Sequence, residues 1–300
     1  MTKVIVIIGP TATGKTALSV AIAKKIGGEI VSADSRQVYR GLDVGTGKVT
    51  TREMRGVIHH LLDVANPKKQ FSAAEFVKLG RAAISEIAAR GHIPIIVGGT
   101  GFYIDALLGR RELSAVPPDP DFRLRVSGYS LKKLQNLLKK ADPKRYKTID
   151  TKNPRRLIRA IEIATHAPDS KDKNLIIYDT IQYDTYWIGL TLPHEELKKK
   201  IHMRLFARIR GIEKEVKKLH KKGMPWKRMD ELGLEYRYMA RYVQKKISRE
   251  MMLSELEKEI EHYAKRQMTW FKRNKDIQWF SPSQKQKIIS LSKKFLTTSV

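Results

Sequence analysis

Five consecutive apolar residues, Val4 to Ile8, end abruptly at Gly9. A short, unbroken block rich in β-branched side chains predicts a strand buried on both faces. From Thr16 the pattern changes period. Leu18, Val20, Ala21, Ile22 and Ile26 recur at helical spacing, and Gly27-Gly28 supplies a stop. Glu29 to Asp34 predicts a second strand that ends in a carboxylate. Ser72 and Glu75 have capping-box spacing ahead of an amphipathic helix from Ala73 to Ala89, closed by Arg90-Gly91. Pro94 to Val97 predicts a third strand, and Gly98-Gly99-Thr100-Gly101 opens onto a helix around Phe102 to Leu108. Strands alternating with helices predict an α/β core, a mainly parallel sheet flanked by helices.

Pro117, Pro118 and Pro120 mark a boundary, after which the chain is basic to about Lys147. Leu131, Leu134, Leu137 and Leu138 form a helical stripe there, which predicts the core of a small helical insertion. The expected division is 1–115 for the first part of the core, 116–150 for the insertion and 151–300 for the remainder. Pro154 suits a first helical position, and Arg155, Arg156 and Arg159 cluster on the helix it opens. Ile176-Ile177-Tyr178 and Tyr186 to Leu190 are further strand candidates. A long helix from Glu195 to about Leu219 carries Arg204 and Arg208 on one face. Leu232 to Tyr238 leads into a helical segment to about Tyr242, and a charged helix runs from Arg249 to Trp270. Ile277 to Phe280 predicts an edge strand, with the last fifteen or so residues frayed.

Chemistry enters with Gly9-Pro10-Thr11-Ala12-Thr13-Gly14-Lys15-Thr16, which satisfies G-x-x-x-x-G-K-[ST]. Strand, Gly-rich turn and helix N-terminus occur in the order a phosphate cradle needs. Backbone N–H groups and the positive helix end face the anion, Lys15 adds a charge, and the Thr16 hydroxyl suits Mg²⁺. Ligands of open α/β sheets sit beyond the carboxyl ends of the strands, so topology brings Asp34 near the phosphate site. Asp34 also suits a helix cap. Ser35-Arg36-Gln37 continues along the same edge, and Gly41, Gly45 and Gly47 predict a mobile or tightly turned loop. The small residues around Thr100 allow close approach to a ligand. His59-His60 with Asp63 reads as a wall of the site rather than a metal triad.

Charge narrows the partners. Fifty-nine Lys and Arg against 31 Asp and Glu leave a formal +28, which favours a polyanion by counterion release and steering. The absence of cysteine removes disulfides, thiol nucleophiles and Cys-zinc sites. The first apolar block is too short for a signal peptide, and no apolar run approaches a membrane span. The expectation is a cytoplasmic protein, monomeric and away from membranes. Two enzymatic readings stay open: a P-loop kinase moving phosphate from ATP to a small acceptor, and an RNA-modifying enzyme with a pyrophosphate-bearing donor. A non-enzymatic RNA-binding protein is the third. A hydrolytic NTPase would show an apolar strand ending in a second metal-binding Asp, for which Ile176-Ile177-Tyr178-Asp179 is a poor match. Basic character across the second half favours the large anionic acceptor.

The motifs then go further than a class. The Gly9–Thr16 loop, Ser32-Ala33-Asp34-Ser35-Arg36-Gln37-Val38-Tyr39, Gly45-Thr46-Gly47-Lys48 and His59-His60-Leu61-Leu62-Asp63 resemble the bacterial tRNA dimethylallyltransferases. So do Phe71-Ser72-Ala73, Val97 to Tyr103, Asn153-Pro154-Arg155-Arg156-Leu157, Gly233-Leu234-Glu235-Tyr236-Arg237 and Ala264-Lys265-Arg266-Gln267, in family order over about 270 residues. The resemblance implies a P-loop NTPase-like core and prenyl transfer from dimethylallyl diphosphate, with Mg²⁺, to N6 of adenine 37 in the tRNA anticodon stem-loop. It implies that the loop, including Thr13, Gly14, Lys15 and Thr16, binds the donor diphosphate, with Thr16 on the metal and Arg208 (Arg204 as the fallback) on the diphosphate. Asp34 is then the general base, Thr100 lies in the catalytic site, and Ser35, Arg36 and Gln37 meet the target nucleotide. Arg123, Thr100, the Arg155-Arg156-Leu157-Ile158-Arg159 segment, Tyr236 and Arg237 are implied tRNA contacts. The stretch between Asp121 and Asn153 is shorter than in many members.

Overall fold

The computed structural model describes residues 1–114, 116–166, 175–176 and 182–298. In chain order its elements begin with β1 (Thr2–Ile8), α1 (Lys15–Ile26), β2 (Gly28–Ser32), α2 (Thr51–Met54), β3 (His59–His60), α3 (Ala73–Ala89), β4 (Ile93–Gly98) and α4 (Gly101–Leu107). There follow β5 (Leu113–Ser114), α5 (Pro120–Arg125), α6 (Leu131–Ala141), α7 (Pro143–Thr148), α8 (Pro154–His166) and β6 (Leu175–Ile176). The chain then continues through β7 (Tyr183–Leu190), α9 (His194–Lys221), α10 (Trp226–Leu232), α11 (Leu234–Val243), α12 (Arg249–Phe271), β8 (Gln278–Phe280) and α13 (Lys285–Thr297). It divides into two compact units, Met1–Arg110 with Gln182–Val300, and Arg111–Ile181.

The first unit is built on a six-stranded sheet, β3-β2-β4-β1-β7-β8, with every pairing parallel. From β1 the chain moves to β2 and β3 on one side and returns through β4, which inserts next to β1. After the second unit β7 joins β1 on its other flank. The direction of growth thus reverses at β1, and the crevice beyond its carboxyl end is where such sheets hold ligands. Val4 to Ile8 are completely buried, because strands covered on both faces by crossover helices must be apolar throughout. One sheet face packs on α1 and α13 through Leu18, Ile22, Ile288 and Ile289. α13 corrects the expectation of a frayed tail: its apolar stripe covers α1, so Lys285–Thr297 is part of the core. A second cluster joins α9, α10, α11 and α12 through Leu205, Ile212, Met229, Tyr236, Met239 and Leu256. Capping boxes at Thr50–Glu53 and Ser72–Glu75 start α2 and α3, each worth about 1 kcal/mol. Among the described residues, no helix is long and apolar enough to cross a membrane.

The second unit is wider than the expected 116–150 insertion. α8 belongs to it, because Leu157, Ala160 and Ile161 pack with Leu134, Leu138 and Val126 into one core. Glu162, fully buried, is its polar centre. It accepts Nε and Nη2 of Arg123 at 2.5 and 2.9 Å, Nη1 of Arg159 at 3.0 Å and the backbone N–H of Asp119 at 3.2 Å. Arg159 also donates to the carbonyls of Val116 and Pro117. Burial pushes the Glu162 carboxyl up, but the hydrogen bonds and charges of Arg123 and Arg159 hold it below its ordinary value of 4.5. Its contribution is therefore in place above pH 4.5 and is lost as acid protonates it. The Arg123 and Arg159 side chains are 35% and 31% exposed, so loss of Glu162 leaves charges that water partly solvates, at less than the about 3 kcal/mol of a fully buried pair. Glu162→Ala should abolish amide-exchange protection in α5 and α8 while leaving β1 and β4 protected. Unchanged protection in α5 would show that the pair does not hold the unit together. Ile177, Tyr178 and Asp179, part of a strand expected from the sequence, lie outside the described residues.

Candidate active site at the carboxyl edge of the sheet

The loop after β1 turns through two glycines that accept a positive φ, Gly9 (φ +146°) and Gly14 (φ +86°), and through Ala12 (φ +65°), which adopts the left-handed region at a cost. A Cβ on Gly9 would run into the carbonyl of Leu190 at the end of β7, so the loop can leave the sheet here only through glycine. Thr13 is buried and donates its hydroxyl to Pro10 O at 2.8 Å, and Lys15 Nζ donates to the same carbonyl at 2.7 Å. Gly14 caps α1 without a side chain, leaving the first N–H groups of the helix directed at the crevice. Thr16 is exposed in that first turn.

Two arginines of α9 close on the loop. Arg204 donates to Thr11 Oγ1 at 3.2 Å and to Gly47 O at 3.2 Å. Arg208, the residue expected to face the diphosphate, instead donates to Val44 O at 2.7 Å and reaches Glu235 at 3.5 Å. The pair share a helix face, and docking of α9 against the 43–47 turn gives the inner place to Arg204. Burial and the neighbouring Arg204 lower the Lys15 ammonium from 10.5 to about 7, opposed by Asp34. Burial and Arg208 likewise lower Arg204, opposed by Glu235 and Asp34. Burial raises the Glu235 carboxyl, the two arginines opposing it. Cations crowded into a partly buried site with few counter-charges form a receptor for a multivalent anion.

Asp34 stands across from them. Its Oδ1 accepts the backbone N–H groups of Arg36 at 2.8 Å and Gln37 at 3.2 Å, so the capping reading describes one oxygen of the carboxylate. Thr100 is tied in next to it: its N–H donates to Ala33 O and its Oγ1 accepts the Ser35 N–H at 3.0 Å. Arg36 donates through Nε to Leu232 O, and the Gln37 amide to Gly47 O. Burial raises the Tyr263 phenol, with Asp34 adding to it and Thr100 opposing. Burial, Tyr39 and Asp34 raise Tyr103. These phenols were not among the expected site residues.

Several residues expected to contact tRNA make bonds within their own unit. Arg123 and Arg159 are engaged with Glu162, as described, and Leu157 is fully buried in the second unit's core. Ile158 packs on that core, whereas Arg155 and Arg156 are exposed. Tyr236 is buried rather than presented to a ligand. Its hydroxyl donates to Glu215 at 2.7 Å, and Glu215 accepts the backbone N–H groups of Asp43, Val44 and Gly45. The two residues hold the turn on which Arg204 and Arg208 lean. Arg237 bonds Asp230 O at 3.0 Å. His60 is held at 2.6 Å on Glu29, with His92 and Arg90 on the same carboxylate. Burial pushes Glu29 up, but these three partners outweigh it and hold it at about 2. Among the described residues no group of three His, Cys, Asp or Glu could hold a metal ion.

Gln267 is the other residue that the expected site lacked. Its Oε1 accepts the Thr11 N–H and its Nε2 donates to Gly99 O, both at 2.9 Å. A signal existed. The buried stripe of α12 reads Met252, Leu256, Ile260, Ala264, Gln267 and Phe271, and a glutamine on an apolar stripe calls for a partner.

A wholly parallel α/β sheet with an anion loop at its switch point and a carboxylate facing it defines a P-loop transferase. Comparison with known proteins agrees. The family model described as IPP transferase matches residues 37–274. A Treponema denticola protein named tRNA dimethylallyltransferase 2 is 41% identical over 272 residues, covering 90% of this chain and 91% of that protein. The tRNA dimethylallyltransferase of Bacillus pumilus is 41% identical over 285 residues, covering 92% and 89%. A crystal structure of the Bacillus halodurans tRNA isopentenylpyrophosphate transferase superposes with a TM-score of 0.74 at 35% identity, covering 99% of this chain and 97% of that one. The chain belongs to the IPP transferase family.

Proposed function

We propose that the chain transfers a dimethylallyl group from dimethylallyl diphosphate to N6 of adenine 37 in tRNA and releases diphosphate. The observation that carries this reading is the opposition of Asp34 to a crowded cationic cradle formed by Lys15, Arg204 and the Gly9–Thr16 loop. The cradle suits a diphosphate leaving group. A carboxylate suits an amine that must lose a proton as it attacks.

In this reading N6 attacks C1 of the donor, the C1–O bond breaks, and the electron pair leaves with the diphosphate. The N6 lone pair is delocalised into the adenine ring and is a weak nucleophile, so Asp34 accepts the N6 proton as the new bond forms. Lys15, Arg204 and the first N–H groups of α1 receive the charge growing on the leaving oxygen. Arg208 supports Arg204 and the 43–47 turn. Thr100 and the Ser35-Arg36-Gln37 edge hold the adenine, which must leave its stack to reach C1. Arg155 and Arg156, exposed and basic, bind tRNA backbone. Exposed Thr16 on the first turn of α1, with no metal-holding group of three His, Cys, Asp or Glu among the described residues, fits a magnesium ion that arrives with the diphosphate. Such an ion would neutralise charge on the leaving group.

Incubation with labelled dimethylallyl diphosphate and unmodified tRNA should place the label on adenine 37. A competent tRNA that stays unlabelled sinks the reading. ATP consumption with phosphorylation of a small acceptor, in the absence of RNA, would establish a kinase instead.

A further inference from the structure

We propose that Gln267 is a positioning residue that sets the gap between the donor cradle and the acceptor edge. The inference rests on the transferase reading above. Gln267 is 6% exposed, and its carboxamide lies between two walls of the crevice. On one side it accepts the N–H of Thr11, the residue whose hydroxyl receives Arg204. On the other it donates to the carbonyl of Gly99, which precedes Thr100. Thr100 in turn is bonded to Ala33 and Ser35, the two neighbours of Asp34. One amide thus joins the loop that holds the leaving group to the end of β4, which Thr100 ties to the residues on either side of Asp34.

The fit is mutual. A Cβ on Gly99 would collide with the Gln267 amide nitrogen, so glycine at that position admits the bridge. The orientation of the amide follows from its partners, since a backbone N–H demands its oxygen and a backbone carbonyl its nitrogen. A neutral group that both accepts and donates is needed here. An apolar side chain strands two buried backbone groups, and an ionised carboxylate faces the Gly99 oxygen with another acceptor. Displacement requires the reacting atoms at about 3–3.5 Å and in line, and a shift of about 1 Å costs about 100-fold. Gln267 acts on that distance through Thr11 and Gly99.

Two variants of nearly unchanged volume test this. Gln267→Met cannot bridge, and should lose 10- to 100-fold in single-turnover transfer at every pH. It should also weaken binding of inorganic diphosphate about tenfold, while tRNA affinity stays within about threefold. Gln267→Glu is the sharper case. Ionised, it repels the Gly99 carbonyl. Protonated, it donates an O–H to Gly99 and accepts from Thr11, which restores the bridge; burial favours that form, while Arg204 on Thr11 and Lys15 on the same loop oppose it. Its transfer rate relative to the unaltered protein should therefore rise about tenfold between pH 8 and pH 6.

A Met variant with an unaltered rate, or a Glu variant whose pH profile parallels that of the unaltered protein, overturns the proposal. Circular dichroism at each pH separates rate from folding. Unfolding of both variants would assign the bridge to stability alone and overturn the positioning role. Failure of the unaltered protein to transfer would instead count against the transferase reading.

Discussion

Asp34→Asn lowers single-turnover transfer by about 10²- to 10⁴-fold, the range a general base contributes, while tRNA and donor affinities stay within about threefold. The choice of asparagine follows from the hydrogen bonds. Oδ1 of Asp34 accepts from the N–H groups of Arg36 and Gln37, and the amide oxygen of asparagine can accept the same two bonds. The turn that presents Ser35, Arg36 and Gln37 is therefore kept, and only the proton-accepting oxygen is exchanged for an NH₂ group. Alanine would remove both functions and mix a catalytic loss with a collapsed turn. The side chain also sits within the field of Lys15 and Arg204. Neutralising it removes an opposing charge from the cation cluster, so diphosphate affinity should hold or improve. Loss of rate with donor affinity intact separates a base from a binding residue. If transfer survives at an unaltered rate, the N6 proton goes to another group, and the Tyr263 phenol beside Thr100, which burial keeps protonated, is not that acceptor.

What could be read from the sequence divides along a physical line. The strands β1 and β4, the helix α3 with its capping box, and the anion loop were legible because their determinants lie within a few residues of one another. Hydrophobic period, a cap three residues from its partner and the glycines of a tight turn need no tertiary information. The parallel sheet followed from the alternation of elements. Roles decided by tertiary docking were not legible in this way. Arg204 and Arg208 are equivalent on a helical wheel. Only the packing of α9 against the turn held by Glu215 and Tyr236 puts Arg204 on Thr11 and Arg208 on Val44. Arg123 and Arg159 look like surface cations until Glu162, some forty residues from Arg123 in the chain, is seen to be fully buried between them. Leu157 sits within a basic run, yet it faces Leu134 and Leu138. A charged segment says that some of its residues meet solvent or nucleic acid, and packing decides which.

Lys15→Met should abolish detectable binding of inorganic diphosphate and cut transfer by at least about 10²- to 10³-fold, the scale of losing one preorganised charge donor. The fold should tolerate the change. Lys15 titrates at about 7 in the folded protein against 10.5 ordinarily, with burial the larger cause and Arg204 the second. A lysine whose folded value is depressed lowers stability fully below pH 7, and the cost fades as pH rises from 7 to 10.5, where the unfolded chain binds more protons than the folded one. At neutral pH the methionine variant escapes that cost while keeping much of the aliphatic packing, so its melting temperature should rise rather than fall. Ligand binding carries the opposite sign. An anion binds the protonated ammonium, so diphosphate affinity should be level below pH 7 and weaken by up to tenfold per unit above it. The unaltered protein is compared with Lys15→Arg, which stays charged throughout and so reports only the ligand's own titration. A methionine variant that binds diphosphate within threefold of the unaltered protein would place the phosphates away from the Gly9–Thr16 loop. Higher thermal stability with lost binding would show a group kept for its charge at a cost to the fold.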